Sequence, residues 1–169
     1  MAKIKMKIRP QRVSDAKRFF DILNSDKFHY FGYRPKSLEE EIEYLKSMPE
    51  RRRKNLQHNY TVVYDGKVVG AIGIKVRQHD RSYIGEIGYF LDENYWGRGI
   101  ATKAVKQMEK IGFTKFKLRR IEIWVHPKNK GSIKVAEKAG YKREGLMRKV
   151  VRTRLSKDFE DAYLYAKVK

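Results

Sequence analysis

Cysteine is absent from the 169-residue sequence, which excludes disulfide bonds, thiolate metal sites and a cysteine nucleophile. Histidine is scarce and lacks the spacing of metal ligands, so we predict no metal site and expect each histidine to be a surface residue or a satisfied polar residue. No stretch has the length of an apolar membrane span, and the first residues, M-A-K-I-K-M-K-I-R-P, lack the apolar run of a signal peptide. We therefore expect a cytoplasmic protein with no membrane partner. The four histidines are His29, His58, His79 and His126.

Acidic residues are half as numerous as basic ones: 20 Asp and Glu stand against 40 Lys and Arg, a formal net charge of +20. Such a surface attracts polyanions, among them ribosomal RNA, acidic protein surfaces and the phosphates of a cofactor. A second interpretation is adaptation to heat, in which lysine replaces uncharged polar residues. The longest basic run, residues 51–54, is typical of a solvated helix end, and the remaining excess is spread along the whole chain.

Length and a hydrophobic content of 41% fit one domain over residues 1–169 with its own core. The spacing of apolar residues predicts the order β-α-α-β-β-β-α-β-α-β-β, which indicates an α/β fold: a mixed sheet with helices on its faces. The predicted strands run through Ile4, Met6 and Ile8 and over residues 60–64, 67–77, 83–91, 120–125, 141–152 and 159–168. The predicted helices start at Ser14 or Asp15, Leu38, Ile100 and Asn129, and they end near Asn24, Lys54, Gly112 and Ala139.

Residues 83–112 organise the rest of the chain: a strand, a polar turn, the segment W-G-R-G-I-A and an amphipathic helix follow one another. Gly97 and Gly99 flank Arg98 and let the backbone approach a ligand closely. The free amides at the start of the helix, with the helix dipole behind them, suit a pyrophosphate group. The dinucleotide fingerprint G-x-G-x-x-G is incomplete because Thr102 stands where the third glycine belongs, and the G-K-S/T of a P-loop is absent. On this pattern alone, a sharp turn without a ligand stays an open alternative.

This stretch, E-I-G-Y-F-L-D-E-N-Y-W-G-R-G-I-A-T-K-A, resembles the acyl-CoA-binding motif of the Gcn5-related N-acetyltransferase superfamily and is most similar to its ribosomal-protein N-acetyltransferase branch. The family pattern Q/R-x-x-G-x-G/A is met at Gly99 and Ala101, whereas Trp96 departs from Gln or Arg. The resemblance implies the fold of that superfamily, acetyl-CoA as co-substrate, backbone amides around the CoA pyrophosphate and strand backbone paired with the pantetheine arm. The implied pyrophosphate residues are Gly97, Arg98, Gly99, Ile100, Ala101 and Thr102, and the implied pantetheine residues are Tyr89, Phe90 and Leu91.

A second stretch, V-H-P-K-N-K-G-S-I-K-V-A-E-K-A-G-Y, resembles the same branch. In the family, the residue at Asn129 hydrogen-bonds the pantetheine. Many members place a tyrosine general acid on the next helix, but Ala136 occupies that position, and Trp124 occupies the position of a glutamate that some members use. Ser132 is the remaining polar group on this helix, and it either donates a proton to the departing sulfur or caps the helix.

Glu86 is the candidate general base because it lies mid-strand between Ile84 and Ile87, just before the implied cofactor-binding residues. Burial there would raise its pKa and let it accept the proton of an attacking amine, directly or through water. The alternative is an ion pair with one of the many basic side chains. The aromatic residues 26–36 either pack over the edge of the domain or form one wall of the acceptor pocket.

The residues and the resemblance together predict an acetyl-CoA-dependent N-acetyltransferase that acts on a primary amine by direct transfer in a ternary complex. We expect a protein N-terminal α-amine, in particular that of a ribosomal protein, with the basic surface in contact with ribosomal RNA. An α-amine has a pKa of about 8 and keeps a usable neutral fraction at pH 7, unlike lysine. The alternatives are a polyamine or antibiotic acceptor, and a non-catalytic module that binds RNA or senses CoA. A monomer and a homodimer are both compatible with the sequence.

Overall fold

Seven strands and four α-helices follow one another along the described chain in the predicted order, β-α-α-β-β-β-α-β-α-β-β. The computed structural model describes residues 6–169, so the predicted contribution of Ile4 to the first strand lies outside the described residues. None of the helices in this range has the length and apolarity needed to cross a membrane. The strands are β1 (Met6–Pro10), β2 (Gln57–Tyr64), β3 (Lys67–Val76), β4 (Ile84–Leu91), β5 (Arg120–Val125), β6 (Lys142–Val151) and β7 (Glu160–Val168). The helices are α1 (Ala16–Leu23), α2 (Leu38–Arg53), α3 (Ile100–Thr114) and α4 (Lys130–Lys138).

The strands form one sheet in the order β1-β2-β3-β4-β5-β7-β6. Neighbouring strands are antiparallel except β4 and β5, which are parallel. These two strands pair only from Ile84 opposite Arg120 to Glu86 opposite Glu122, and beyond that point they no longer pair. A slot therefore opens between β4 and β5 on the carboxyl side of Glu86.

Helices cover both faces of the sheet because successive side chains of a strand point to opposite sides. Ile74 of β3 packs in one buried cluster with Met108 of α3. Ala71, three residues earlier on the same strand, packs on the opposite face with Phe19 of α1 and Leu45 of α2. The mixed sheet with helices on its faces is thus confirmed, and α1 and α2 lie on the other side of β4 from α3.

The residue type of Gly112 predicts the C-terminal end of α3, but the helix does not end there. The helix continues to Thr114, and Gly112 lies buried inside it. A β-carbon added to Gly112 would lie 2.8 Å from Cδ1 of Ile121, so the missing side chain serves the close packing of α3 on β5. A glycine is required at this position because the helix packs close to the sheet, and not because the chain adopts a left-handed conformation there.

Helix α1 begins at Ala16, and Asp15 occupies the N-cap position without capping the helix through its side chain. Its buried carboxylate instead accepts hydrogen bonds from the Arg9 guanidinium at 2.7 and 2.8 Å and from the Thr61 hydroxyl at 2.6 Å. Burial alone would raise the pKa of Asp15, but these bonds, together with one from the Arg12 amide, hold it below its usual value. Asp15 therefore ties α1 to β1 and β2.

Candidate active site

The turn before α3 has the backbone geometry that its glycines predict. Gly97 has φ +72° and Gly99 has φ +74°, the left-handed region that favours glycine. No described atom lies within 4 Å of a β-carbon built on either glycine, so both face open space. Gly99 is the N-cap residue of α3, and no side chain of the described residues caps this helix. The first amides of α3 therefore have no side-chain acceptor among the described residues, and such a helix start suits an anionic group.

A cavity of about 1050 Å³ joins this turn to the slot between β4 and β5 and continues to the face that α1 and α2 cover. The structure brings almost all the predicted site residues to its wall. Arg98 is the exception, because its guanidinium lies over the ring of Tyr95 at 5.2 Å from the centroid. The predicted residues that line the cavity are Glu86, Tyr89, Phe90, Leu91, Gly97, Gly99, Ile100, Ala101, Thr102, Asn129 and Ser132.

Trp96, the residue that departs from the family pattern, anchors the turn to the end of β4. Its indole N–H donates a 2.8 Å hydrogen bond to the carbonyl oxygen of Leu91. Its ring also packs edge-on against Phe28, with 5.9 Å between centroids. The indole thus holds the glycine turn against the strand and joins it to the aromatic loop, so the departure from Gln or Arg has a structural role of its own.

Ser132 and Tyr89 form a hydrogen-bonded pair beside the slot. The side chain of Asn129 caps α4 by accepting a 3.1 Å bond from the Ser132 amide, so Ser132 itself is not the cap. The Tyr89 hydroxyl donates to Ser132 Oγ at 3.0 Å. Burial raises the pKa of Tyr89 to about 12, so the phenol keeps its proton at neutral pH. Ala136, where many family members carry tyrosine, is fully buried in the core.

The sequence predicts a role only for the backbone of Tyr89, and not the contact of its side chain with Ser132. The available signal was strand alternation: Tyr89 is two residues from Ile87, which packs in the cluster under α3, so both side chains point to the α3 and α4 side of the sheet. A phenol thus reaches α4 from β4, whereas the resemblance placed it on α4 itself.

Glu86 is a half-buried carboxylate on the cavity wall, and no basic side chain within residues 6–169 forms an ion pair with it. Its parallel neighbour Glu122 takes the nearby arginines instead, with Arg77 at 2.6 Å and Arg120 at 2.7 Å. Burial raises the pKa of Glu86, and the charges of Lys75 and Arg77 oppose this shift only in part. The described residues therefore leave Glu86 free to exchange a proton with a ligand.

The aromatic loop 26–36 packs over the sheet and also lines the cavity, and its role as a wall of the acceptor pocket stays a prediction. Phe28 and Phe31 lie edge-on to Phe90, with centroid distances of 6.4 and 5.6 Å. Arg154, between β6 and β7, holds the loop in place: its amide donates to the His29 carbonyl at 2.8 Å and its guanidinium to the Tyr33 carbonyl at 2.8 Å. This wall is consequently fixed by a residue more than a hundred positions away.

Glu41 is a second cavity carboxylate, and the sequence argument did not identify it. It lies on the apolar face of α2, three residues after Leu38 and four before Leu45, and is only 2% exposed. The Tyr33 hydroxyl donates to Glu41 Oε2 at 3.0 Å. Burial raises the pKa of Glu41 to about 7. A charged residue inside an apolar helical stripe was the signal that could have found it.

Three lysines of α4 line the same cavity as the glycine turn. Lys130, Lys134 and Lys138 follow one another at intervals of four, which places them on one face of the helix. Their ammonium groups add positive charge to the cavity whose wall also holds the open amides of α3. These groups suit phosphates, and the same wall carries the carboxyl groups of Glu41 and Glu86.

The histidines fit the expectation of surface or satisfied residues. His126 lies on the cavity wall, where its Nδ1 accepts from the Lys128 amide at 3.2 Å and its Nε2 lies 3.3 Å from Glu160 Oε1. His58 stacks on Phe116 at 3.9 Å between centroids. Among the residues the structure describes, no three His, Asp or Glu side chains gather as metal ligands.

Comparison with known proteins identifies the family to which this chain belongs. Residues 5–142 match the Acetyltransferase (GNAT) domain. The probable N-acetyltransferase YjcK of Bacillus subtilis is 31% identical over 153 residues, which are 86% of this chain and 84% of that protein. The solved ribosomal-protein-S5-alanine acetyltransferase from Vibrio fischeri has a TM-score of 0.85 and 26% identity, over 96% of this chain and 92% of its own. Mycobacterium smegmatis RimJ, solved in complex with CoA-disulfide, has a TM-score of 0.85 and 25% identity, over 96% and 81%. The family resemblance of the glycine turn is thereby confirmed, and this chain belongs to the GNAT acetyltransferase family.

Proposed function

We propose that this N-acetyltransferase moves the acetyl group of acetyl-CoA directly to a protein N-terminal α-amine in a ternary complex. The observation that carries the proposal is one continuous cavity with two chemically different ends. A glycine turn with open helix amides forms one end, while Glu86, a carboxylate without an ion-pair partner among residues 6–169, faces the other, and lysines of α4 line the same cavity. A CoA thioester and an amine can enter such a cavity together.

The chain offers a separate group for each part of acetyl-CoA. The amides of residues 97–102 and the lysines of α4 would bind its phosphates, and Asn129 with the unpaired edge of β4 would bind the pantetheine arm. The edge of β4 is open because β5 pairs with it only as far as Glu86. In this arrangement the thioester lies in the slot, within reach of both faces of the sheet.

The proton transfers are assigned to three side chains. As the neutral amine attacks the thioester carbonyl, a C–N bond forms, the C–S bond breaks and Glu86 accepts the proton that nitrogen loses, directly or through water. Backbone amides of β4 stabilise the oxyanion. Ser132 donates its hydroxyl proton to the departing thiolate, and Tyr89, hydrogen-bonded to Ser132 Oγ, replaces that proton. Water then takes the proton from Glu86 and returns one to Tyr89, so both side chains regain their starting states. No acetylated cysteine can form, because the sequence has none.

A protein α-amine is favoured as acceptor for two reasons. An α-amine has a pKa of about 8, so a moderate base such as a buried glutamate suffices, whereas a lysine side chain at about 10.4 requires more. The net charge of +20 favours contact with ribosomal RNA and disfavours long-range approach of free polycations. Two of the solved neighbours with this fold are a ribosomal-protein acetyltransferase and RimJ. The cytoplasmic location, the ribosomal RNA contact, the single domain and the oligomeric state stay predictions.

A small cationic amine is the second candidate, because Glu41 and Glu86 both line the cavity. One experiment separates the two. Purified protein and acetyl-CoA are incubated with a panel of N-terminal peptides, polyamines and aminoglycosides, and separately with ribosomal proteins, while released CoA and intact masses are measured. An added acetyl group on an N-terminus, with slow turnover of small amines, supports the proposal. The reverse order supports the second candidate. Salt-sensitive RNA binding without thermal stabilisation by acetyl-CoA would instead indicate a non-catalytic module.

A further inference from the structure

Among the residues that the structure describes, Glu41 has a hydrogen-bond donor but no ion-pair partner, as a recognition group would. Its carboxyl group is held on one side by the Tyr33 hydroxyl at 3.0 Å, and no other described residue donates to it. Tyr33 is held in turn, because its ring lies 5.5 Å from that of Tyr44 and its carbonyl accepts from Arg154. One carboxylate oxygen of Glu41 is thus oriented by the protein, and the other has no protein donor among residues 6–169.

No basic side chain within residues 6–169 forms an ion pair with this carboxylate, although the protein carries a net charge of +20. The charged group that acts on it most strongly is Glu40, which disfavours a second negative charge. Arg51, which also lines the cavity, lies over the ring of Tyr44 at 5.8 Å. A buried carboxyl group without a counterion costs free energy when it ionises, and an incoming ammonium or guanidinium group would remove that cost.

A row of polar side chains leads from Glu41 toward Glu86. The Tyr44 hydroxyl accepts hydrogen bonds from the side-chain amides of Gln57 and Asn59, both at 3.2 Å. Gln57 lies opposite Lys75 on β3, which lies opposite Glu86 on β4. Two strand spacings amount to about 10 Å, so Gln57 is roughly that far from Glu86 across the sheet. All of these residues line the same cavity.

Gln11 supplies a second acceptor without a donor at this end of the cavity. It lines the cavity, and its buried Oε1 atom has no hydrogen-bond partner among the described residues. Buried acceptors of this kind are rare unless a ligand or water satisfies them. At the wall formed by α2 and the end of β1, Gln11 Oε1 and one carboxylate oxygen of Glu41 therefore have no hydrogen-bond donor among the described residues.

We infer that Glu41 binds a second, positively charged group of the acceptor, at a distance of about 10 Å or more from the amine that is acetylated. The inference rests on the proposed function, because it names what the acceptor carries beyond its reactive nitrogen. About three extended residues span 10 Å, so in a peptide the charge would come from a Lys or Arg within the first four positions. In a small molecule it would come from the far ammonium of a diamine.

The test compares matched acceptors in three proteins: wild type, Glu41→Gln and Glu39→Gln. Glu39 is exposed on the same helix, so its substitution makes the same charge change away from the cavity. One series is a peptide with lysine at position two, three or four, each against the same peptide with Nε-acetyllysine. The other is an eight-carbon diamine against octylamine. The readouts are kcat/KM from CoA release and the calorimetric affinity of each acceptor for the CoA-loaded protein.

Wild type and Glu39→Gln are expected to prefer the charged acceptor about tenfold or more, as for a hydrogen bond to a charged group, and Glu41→Gln is expected to lose that preference. The series that shows the effect identifies the source of the charge. An equal preference in wild type and Glu41→Gln overturns the inference while leaving the proposed function intact. If no peptide is acetylated, the peptide proposal fails on its own; the inference then stands if the affinities still depend on Glu41 and falls if they do not.

Discussion

The glycine turn allows backbone strain to be separated from ligand binding. Gly99 has φ +74° with no described atom within 4 Å of an added β-carbon. Gly66, in the β2–β3 turn, has φ +77° and equally open surroundings, but it does not belong to the cavity wall. Replacing either glycine by alanine thus adds the same methyl group in nearly the same backbone conformation. Only at Gly99 does the methyl group enter the space proposed for the CoA phosphates.

The expected magnitudes follow from the cost of the left-handed conformation and from the free energy of acetyl-CoA binding. A left-handed conformation costs an L-residue about 1–2 kcal/mol, so Gly99→Ala and Gly66→Ala should each lower the free energy of unfolding by about that amount. For a chain of this size, 1 kcal/mol corresponds to about 2–4 °C, so each variant should melt about 2–8 °C below wild type without ligand. Acetyl-CoA at one hundred times its Kd adds about 2.7 kcal/mol to the stability of wild type, an increase of about 5–11 °C.

The assay is thermal unfolding of wild type and both variants at one fixed acetyl-CoA concentration, with calorimetric Kd values as the second measurement. Gly66→Ala should keep the full increase in melting temperature. If the methyl group weakens binding about a hundredfold, Gly99→Ala should gain only about 0.4 kcal/mol, or near 1 °C. Equal ligand-induced increases in the two variants would refute the assignment of this turn to the phosphates.

Three further predictions concern the chemistry and the charged end of the cavity. Glu86→Gln should lower kcat about a hundredfold or more with little change in the KM for acetyl-CoA. Because burial raises the pKa of Glu86, the carboxylate is lost as pH falls through that raised value, so wild-type kcat/KM should show an inflection there that the variant lacks; an unchanged pH profile would remove Glu86 from the role of base. Tyr89→Phe and Ser132→Ala should each reduce kcat by a similar factor at constant KM, and the double variant should be no worse than either single one, because the two hydroxyls act as one unit; additive losses would argue against a relay. Lys134→Gln should raise the KM for acetyl-CoA several-fold, whereas Lys106→Gln, an exposed lysine of α3 that does not belong to the cavity wall, should leave it unchanged; equal effects would mean that only general surface charge matters.

Local patterns were enough to predict the elements and the glycine turn. Alternating and helical apolar spacing involve residues that are close in sequence, and the order of strands and helices was confirmed from them. The positive φ angles of Gly97 and Gly99 follow from residue type, because a left-handed turn favours glycine. Gly112 shows the limit of such reasoning, since a glycine also permits close packing, and only Ile121 of β5 reveals which cause applies.

Only the tertiary structure decided which polar side chains form ion pairs or hydrogen bonds with one another and which can interact with a ligand. Within residues 6–169, Glu86 has no ion-pair partner because the parallel register puts Glu122 beside it, and Glu122 pairs with Arg77 and Arg120. Tyr89 meets Ser132 only because α4 packs beside the open end of β4.

The same holds at the far wall of the cavity, where Tyr33 and Glu41 meet through the packing of the aromatic loop on α2. The sequence by itself determined the fold, the family and the position of the glycine turn, because those depend on backbone conformation and short-range spacing. Ion pairs, buried carboxylates and hydroxyl relays depend on strand register and helix packing between residues tens of positions apart, and these distances exist only in the folded chain.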